Sequence, residues 1–254
     1  MKHLQTRAFV LRTVDYGERD TIVTLLGRDC GRFSAIARSA KTSRRRFGGG
    51  LQPLRCLQAS YTTRPQRELA TLTEVKVVVD YPGIETDLEK IALACYATEL
   101  VREVCREGDE ASATFDLLED FYGHLSRESA LAQAEVTLRH FELRLLEIHG
   151  AAPSLAGCAR CGLSTQAGDK YMCSRVGDGL ICSGCRHQGE AVGVLEPNAL
   201  YLLRGYLTLE PLAAALLADA SARMQARRVI EASLAQIIER ELRSRAMLTT
   251  LGLA

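Results

Sequence analysis

Two cysteine pairs constrain this chain more than any other feature. Cys158-Ala159-Arg160-Cys161 and Cys182-Ser183-Gly184-Cys185 stand twenty residues apart. A two-residue gap lets both sulfurs of a pair reach one ion from a tight turn. Two such pairs supply four thiolates, the donor set of tetrahedral zinc. Gly162 follows the first pair and Gly184 lies inside the second, where the chain must fold closely around a metal. Four thiolates leave no open coordination position, so the zinc expected here is one structural ion. It would stabilise a module too small to hold itself together, with Lys170-Tyr171-Met172 and Gly179-Leu180-Ile181 beside it. Cys173 or His187 could replace one ligand, although neither belongs to a close pair. Free thiols, another metal or a redox pair are the competing readings.

The chain has nine cysteines, and Met1 to Thr6 lacks the apolar segment of an export signal. An odd count without export argues against a disulfide framework. The other five, Cys30, Cys56, Cys95, Cys105 and Cys173, read as small apolar residues. No apolar run approaches the roughly 18 residues of a membrane span. A soluble, cytoplasmic protein is expected.

Charge is unevenly spread over the 254 residues. The net charge is +1, yet residues 1–80 hold 15 Lys/Arg against 7 Asp/Glu and the remainder holds 17 against 24. A basic N-terminal third points to a polyanion, because clustered cations attract phosphate and release counterions on binding. The same third reads as strands: Ala8-Phe9-Val10-Leu11, Thr21 to Leu26, Phe33 to Ala37, Leu54 to Thr63 and Glu68 to Val79. Gly27 to Gly31 and Arg64-Pro65-Gln66-Arg67 divide them as turns. Five short antiparallel strands suffice for a small closed barrel of the oligonucleotide-binding (OB) type, although an open sheet or an SH3-like barrel gives much the same string.

Between two hairpins lies Lys41-Thr42-Ser43-Arg44-Arg45-Arg46-Phe47-Gly48-Gly49-Gly50. Four cations repel one another and three glycines loosen the backbone, so this segment is expected to be mobile when nothing is bound. Arg32, Arg38, Lys41, Arg44, Arg45, Arg46, Arg55, Arg64 and Arg67 are candidates to track phosphates. Phe47 and Tyr61 are candidates to stack on bases, with Phe47 expected to be exposed and Phe33 to enter the core. Asp15, Glu18 and Asp20, with Arg19 among them, read as a solvated turn.

After Tyr81-Pro82-Gly83 the period becomes helical. Leu88, Ile91, Ala92, Cys95, Tyr96 and Leu100 share one face behind an Asp87 N-cap. Further helices are predicted near Thr114 to Ser126, at Ala134 to His149 with Gly150 and Pro153 ending it, and from Pro197 onward. The last is expected as one helix from about Ala222 to Met247, with Ile230, Leu234, Ile237 and Leu242 on its apolar face. The expected divisions are a nucleic-acid-binding barrel at 1–80, a helical domain at 81–154 and 195–254, and a zinc module at 155–194.

His140-Phe141-Glu142 upstream of Cys158-x-x-Cys161 imitates the H-x-E and P-C-x-x-C of zinc nucleobase deaminases. Gly157 stands where that proline belongs, the second cysteine pair would have no task, and His140 reads as a solvent-face residue. There is no P-loop, dinucleotide fingerprint or nucleophile elbow, and no catalytic residue is assigned.

The order of parts resembles the RecO family of bacterial DNA repair and recombination mediators over nearly the whole chain. The resemblance lies in Val10-Leu11, in Tyr16-Gly17-Glu18-Arg19-Asp20 leading to Ile22-Val23-Thr24-Leu25, and in Gly31. It continues through Ser43-Arg44, Leu51-Gln52-Pro53-Leu54 and Tyr96-Ala97-Thr98-Glu99-Leu100. The four cysteines and Glu241-Leu242-Arg243-Ser244-Arg245 complete it. Ser39 departs from the glycine often found before the basic loop in this family. The resemblance implies an α+β protein: an N-terminal five-stranded OB-fold barrel, then an all-helical domain with an embedded zinc module. It also implies a non-enzymatic, nucleoid-associated function. That function comprises binding of single- and double-stranded DNA, annealing of complementary strands, partnership with RecR, contact with single-stranded DNA-binding protein (SSB), and help in loading RecA. An RNA-binding or translation-associated adaptor built from the same parts is the alternative reading.

Overall fold

A computed structural model describes residues 2–65, 69–128, 131–164, 171–174, 176–186, 191–208 and 219–253. Arg67, Lys170 and His187 lie outside the described residues. The chain forms two compact units, one of residues 1–127 with 242–254, the other of 128–241.

The first unit is built on β1 (Lys2–Tyr16), β2 (Asp20–Gly27), β3 (Gly31–Ala37), β4 (Arg55–Thr63) and β5 (Ala70–Asp80). They close into a barrel in the order β1-β2-β3-β5-β4. β1 is long enough to pair with β4 through its first half and with β2 through its second, with a register shift between Val10 and Arg12. A short parallel pairing, Ala35↔Ala70 to Ala37↔Leu72, closes the ring. The alternation visible in the sequence is what the barrel uses. Val23, Leu25, Ala35, Ala37, Leu57, Ala59 and Leu72 point inward and are buried. The barrel and its topology fit the OB fold.

Four helices complete this unit: α2 (Pro82–Glu85), α3 (Leu88–Val104), α4 (Ser112–Arg127) and, at the end of the chain, α8 (Arg243–Thr250). Between β3 and β4 the chain also makes one helical turn, α1 (Arg44–Phe47). Asp87 caps α3 as expected, accepting from the backbone N–H groups of Glu89 (3.0 Å) and Lys90 (3.2 Å). Phe9 carries the outer face of β1 into the helices, 4.8 Å from the Phe115 ring and 5.4 Å from Tyr122. Tyr122 is fully buried, and its hydroxyl is paired with that of Thr98, which donates to Ala94 O at 2.6 Å. A buried phenol needs such a partner.

The second unit holds α5 (Leu131–Ile148), α6 (Pro197–Thr208), α7 (Ala220–Leu234) and a four-stranded sheet. The sheet consists of β6 (Ser154–Cys158), β7 (Tyr171–Ser174), β8 (Gly179–Ile181) and β9 (Ala191–Leu195), in the order β6-β8-β7-β9. Asp219 caps α7 through Ala222 N–H at 3.0 Å. His140 is not the solvent-face residue expected. It is half-buried, with Nδ1 2.6 Å from Tyr206 O. Glu142 is buried completely and ion-paired with Arg139 at 2.7 Å.

The single last helix expected over Ala222 to Met247 is two helices. α7 stops at Leu234, the chain turns through Ala235 to Ile238, and α8 begins at Arg243. No glycine or proline marks the break, and the start of α8 is fixed by a contact distant in sequence. Leu242, the residue before α8, has no side-chain cap to give. Glu99 on α3 supplies one, its Oε2 accepting from the Ser244 backbone N–H at 2.8 Å and the Ser244 hydroxyl at 2.6 Å. Arg102 holds the other oxygen at 3.0 Å. Burial works to raise the Glu99 pKa, but the Ser244 hydrogen bonds and Arg102 together hold it below the ordinary glutamate value.

A carboxylate with a lowered pKa in the folded state contributes stability that is present above its unfolded pKa and lost as pH falls through the lowered value. Ser244→Ala should therefore cost about 1.5–3 kcal/mol near neutrality, the range for hydrogen bonds to charged groups. Urea titrations of wild type and variant should converge as pH drops into the carboxylate range; a pH-independent difference would contradict this account.

Candidate metal centre and nucleic-acid interface

β6 ends on Cys158, and the chain then doubles back. Cys158 N–H donates to Leu163 O at 2.9 Å and Gly162 N–H donates to Cys158 O at 2.8 Å. Gly162 has φ +72°, which a side chain would resist. Ala159 N–H reaches Leu180 O on β8 at 2.7 Å, tying this knuckle to the strand that delivers the second pair. Cys182 follows β8 directly, and a single 3₁₀ turn over Ser183–Cys185 brings Cys185 back, with its N–H on Cys182 O at 3.1 Å.

All four sulfurs lie within 4.8 Å of one another, and Cys161 Sγ is 3.8 Å from Cys182 Sγ. Tetrahedral zinc with Zn–S bonds of about 2.3 Å requires sulfurs about 3.8 Å apart. Cys158 and Cys182 are buried, Cys185 half-buried and Cys161 exposed. Burial opposes ionisation of Cys158, yet the backbone N–H groups of Cys182, Cys161 and Arg160 bring its pKa down to about 6. Cys185 moves the other way, to about 12, by sharing its proton with the Cys161 and Cys182 sulfurs. Four thiolates this close repel strongly unless a cation lies among them, so the donor set fits a metal ion such as zinc. Cys173 is buried in β7 with its pKa pushed up to about 11 by burial, and among the described residues the metal-ligating group holds only the four cysteines. The His140 and Glu142 side chains are engaged within the helices instead.

In the barrel unit, the basic residues fall into two sets. Arg38, Lys41, Arg44, Arg45 and Arg46 lie on the segment joining β3 to β4, where Arg46 donates to Arg38 O. That segment is stitched to the β1–β2 turn. Asp20 Oδ1 accepts from Ser39 N–H at 2.7 Å, Lys41 N–H donates to Arg19 O at 3.2 Å, and Lys41 Nζ is 2.9 Å from Asp15. Two acids of the expected solvated turn thus hold the basic segment in place. Arg38, Arg44 and Arg45 are exposed. Arg46 is half-buried, donating to Ser43 Oγ (3.0 Å) and Arg38 O (2.9 Å). Ser39 takes φ 56°, so the serine adopts the left-handed conformation that a glycine in its place would adopt without strain.

The remaining candidates are placed elsewhere. Arg32 donates to Arg102 O on α3 at 2.8 Å and serves the helix packing. Arg55 is held by Gly49 O (2.9 Å), Asp80 (3.3 Å) and Glu85 (3.6 Å). Arg64 is exposed just beyond β4. Arg7 and Arg28, which the sequence did not single out, pair with Glu119 and Asp116 on α4. Hydrogen bonds from Arg28 hold the Asp116 carboxyl below its ordinary range.

The aromatic expectations change most. Phe47 is 3% exposed and enters the barrel core with Val75, Leu57 and Ala37. The glycines behind it serve close packing: a Cβ on Gly50 would lie 2.8 Å from Val75 Cγ2. The phenyl ring finds a core because the open end of a five-stranded barrel is itself apolar, which flanking arginines and glycines do not reveal. Tyr61 is likewise buried, stacked on Phe33 with ring centroids 4.7 Å apart, and burial raises its hydroxyl pKa. The exposed aromatic at the basic end is Tyr16, at the tip of the β1–β2 hairpin.

The same stretches match known proteins. A family model described as Recombination protein O N terminal covers residues 1–81, and one described as Recombination protein O C terminal covers residues 85–246. A protein of Anaeromyxobacter dehalogenans (strain 2CP-C), named DNA repair protein RecO, is 38% identical over 260 residues, 99% of this chain and 98% of that protein. The protein of that name from Geobacter metallireducens is 33% identical over 248 residues, 98% of each chain. No helix among the described residues is long and apolar enough to cross a membrane.

Two outcomes are expected. Cys158→Ser or Cys182→Ser should lower the metal content measured by plasma mass spectrometry and lower the Tm; full retention of metal by both would remove these thiols from the ligand set. Phe47→Ala should destabilise the protein by about 3–5 kcal/mol, as deletion of a buried aromatic ring does. An unchanged urea midpoint would show that the ring is not seated in the barrel.

Proposed function

The chain belongs to the RecO family of DNA repair proteins, and we propose that it is a recombination mediator that binds DNA through the basic end of its barrel. The observation that carries this reading is the gathering of Arg38, Lys41, Arg44 and Arg45 on one segment, held against the β1–β2 turn and anchored by Phe47. Cations gathered on one segment can meet a phosphate backbone, and such binding is driven by counterion release. Neutralising two backbones at once lowers the repulsion between complementary strands, the physical requirement for annealing. Single- and double-stranded DNA are both ligands in this reading, and no bond is made or broken. Arg32 and Arg55 support the barrel instead of touching DNA.

In the same reading the four cysteines hold one structural zinc ion, which keeps β6 and β8 together. RecR, SSB and, indirectly, RecA are the proposed partners, through which the protein would help load RecA onto SSB-coated DNA in the nucleoid. These partners follow from family membership and not from any contact described above.

Arg44→Glu combined with Arg45→Glu tests the reading. Each phosphate contact contributes about 0.9 to the slope of log K against log salt. The double variant should bind a DNA oligonucleotide at least tenfold more weakly at low salt and reduce that slope by about 1 to 2. Equal affinity and slope across a salt series would remove this end of the barrel from the interface. Stronger competition by RNA than by DNA of equal length would favour an RNA adaptor instead.

A further inference from the structure

Of the nine cysteines, Cys161 alone is exposed, and it is one of the four thiols of the metal site. Cys158 and Cys182 are buried and Cys185 is half-buried. The exposed guanidinium of Arg160 precedes Cys161 in the chain and lies 3.9 Å from Asp178. A thiolate that is open to solvent and beside a cation is the kind on which peroxides act. The neighbouring sulfurs differ as partners for a second step. Cys158 Sγ already accepts the Cys182 N–H at 3.4 Å, which withdraws its charge from attack. Cys182 Sγ lies 3.8 Å from Cys161 Sγ, and a disulfide needs about 2.05 Å, so the gap must close by about 1.8 Å.

Cys161 ends one knuckle and Cys182 begins the other. A bond between them would link the ends of β6 and β8, the same two ends that a metal ion would link. The turn between β7 and β8 has an anchor of its own. Ser233 Oγ on α7 donates to Gly177 O at 2.7 Å, and a Cβ on Gly177 would lie 2.3 Å from Ala232 O. The hairpin is therefore held at its far end by the helix and at its near end by the sulfurs.

We propose that the four-cysteine site is an oxidant-responsive clasp, in which a hydroperoxide exchanges the bound metal ion for a Cys161–Cys182 disulfide without unfolding the module. The proposal rests on the zinc reading above. The Cys161 thiolate attacks one oxygen of hydrogen peroxide, the O–O bond breaks, and hydroxide leaves as Cys161 becomes a sulfenic acid. The Cys182 thiolate then attacks the Cys161 sulfur, forming the S–S bond and expelling a second hydroxide. The two sulfurs together lose two electrons, and the peroxide gains them. Two thiolates remain, too few to hold zinc.

The test uses the full chain purified without chelator, treated with a small excess of hydrogen peroxide while a chromogenic chelator reports released zinc. One zinc ion should leave per chain, thiols titrated in denaturant should fall from nine to seven, and peptide mapping should find Cys161 joined to Cys182. Dithiothreitol with added zinc should reverse all three changes. The oxidised protein should melt above Cys182→Ser, which lacks both the ion and the disulfide. Cys161→His keeps four donors, since three cysteines and one histidine also form a zinc site, and it should hold its ion in peroxide; should it fail to load zinc, the wild-type disulfide map decides. Protein that carries no zinc at the outset would remove the zinc reading and the clasp together. Zinc that stays bound in peroxide, a Cys158–Cys161 disulfide, release from Cys161→His as fast as from wild type, or an oxidised Tm no higher than that of Cys182→Ser would each overturn the clasp and leave the zinc reading standing.

Discussion

The Phe47 side chain decides where the charge of the barrel unit stands. Arginines in sequence repel one another and, on a free loop, would spread into solvent. Here the ring at the end of the short α1 turn occupies the open end of the barrel, in contact with the same core that β2, β3 and β5 line. Burying it supplies roughly 2–3 kcal/mol of hydrophobic free energy. Arg46 lies over that ring, its guanidinium carbon 5.0 Å from the centroid, and returns hydrogen bonds to Ser43 and Arg38. The same turn presents Arg44 and Arg45 outward. An apolar contact thus positions a polar surface.

The metal centre applies the same logic by other means. The strands beside it are short: β8 has three residues and β7 four. Strands of that length hold few ladder hydrogen bonds, and a small sheet is marginal alone. A cation held by the four sulfurs would join the end of β6 to the end of β8 and add to the small core of Tyr171, Leu180 and Ile181. The backbone N–H groups aimed at Cys158 prepare one thiolate before any ion arrives.

Much of this was legible in the sequence, and the exceptions share a cause. The five strands, the Asp87 cap, the Gly150 stop and the cysteine cluster each follow from local pattern or spacing, and each is present. Phe47 was misread because its neighbours describe a solvent loop, whereas its environment is made by strands up to 28 residues further on, at Val75. The start of α8 was invisible because Glu99, 145 residues before Ser244, caps it. Both residues lie in segments that carried the family resemblance, yet nothing local says that those segments meet. Tyr16 was passed over as part of a polar turn. An aromatic followed by glycine at a hairpin tip, with the β-branched Val14 and Thr13 two and three positions before it, was the available signal.

The return of α8 to the barrel unit has a consequence for how the protein is made. Residues 128–241 form a unit of their own, inserted between two parts of the other. On the ribosome the barrel strands emerge early, but the carboxylate of Glu99 must wait for Ser244 while the whole inserted unit is synthesised. At about 5–20 residues per second that interval lasts on the order of ten seconds. For that time the surface of α3 that α8 will cover is open to solvent.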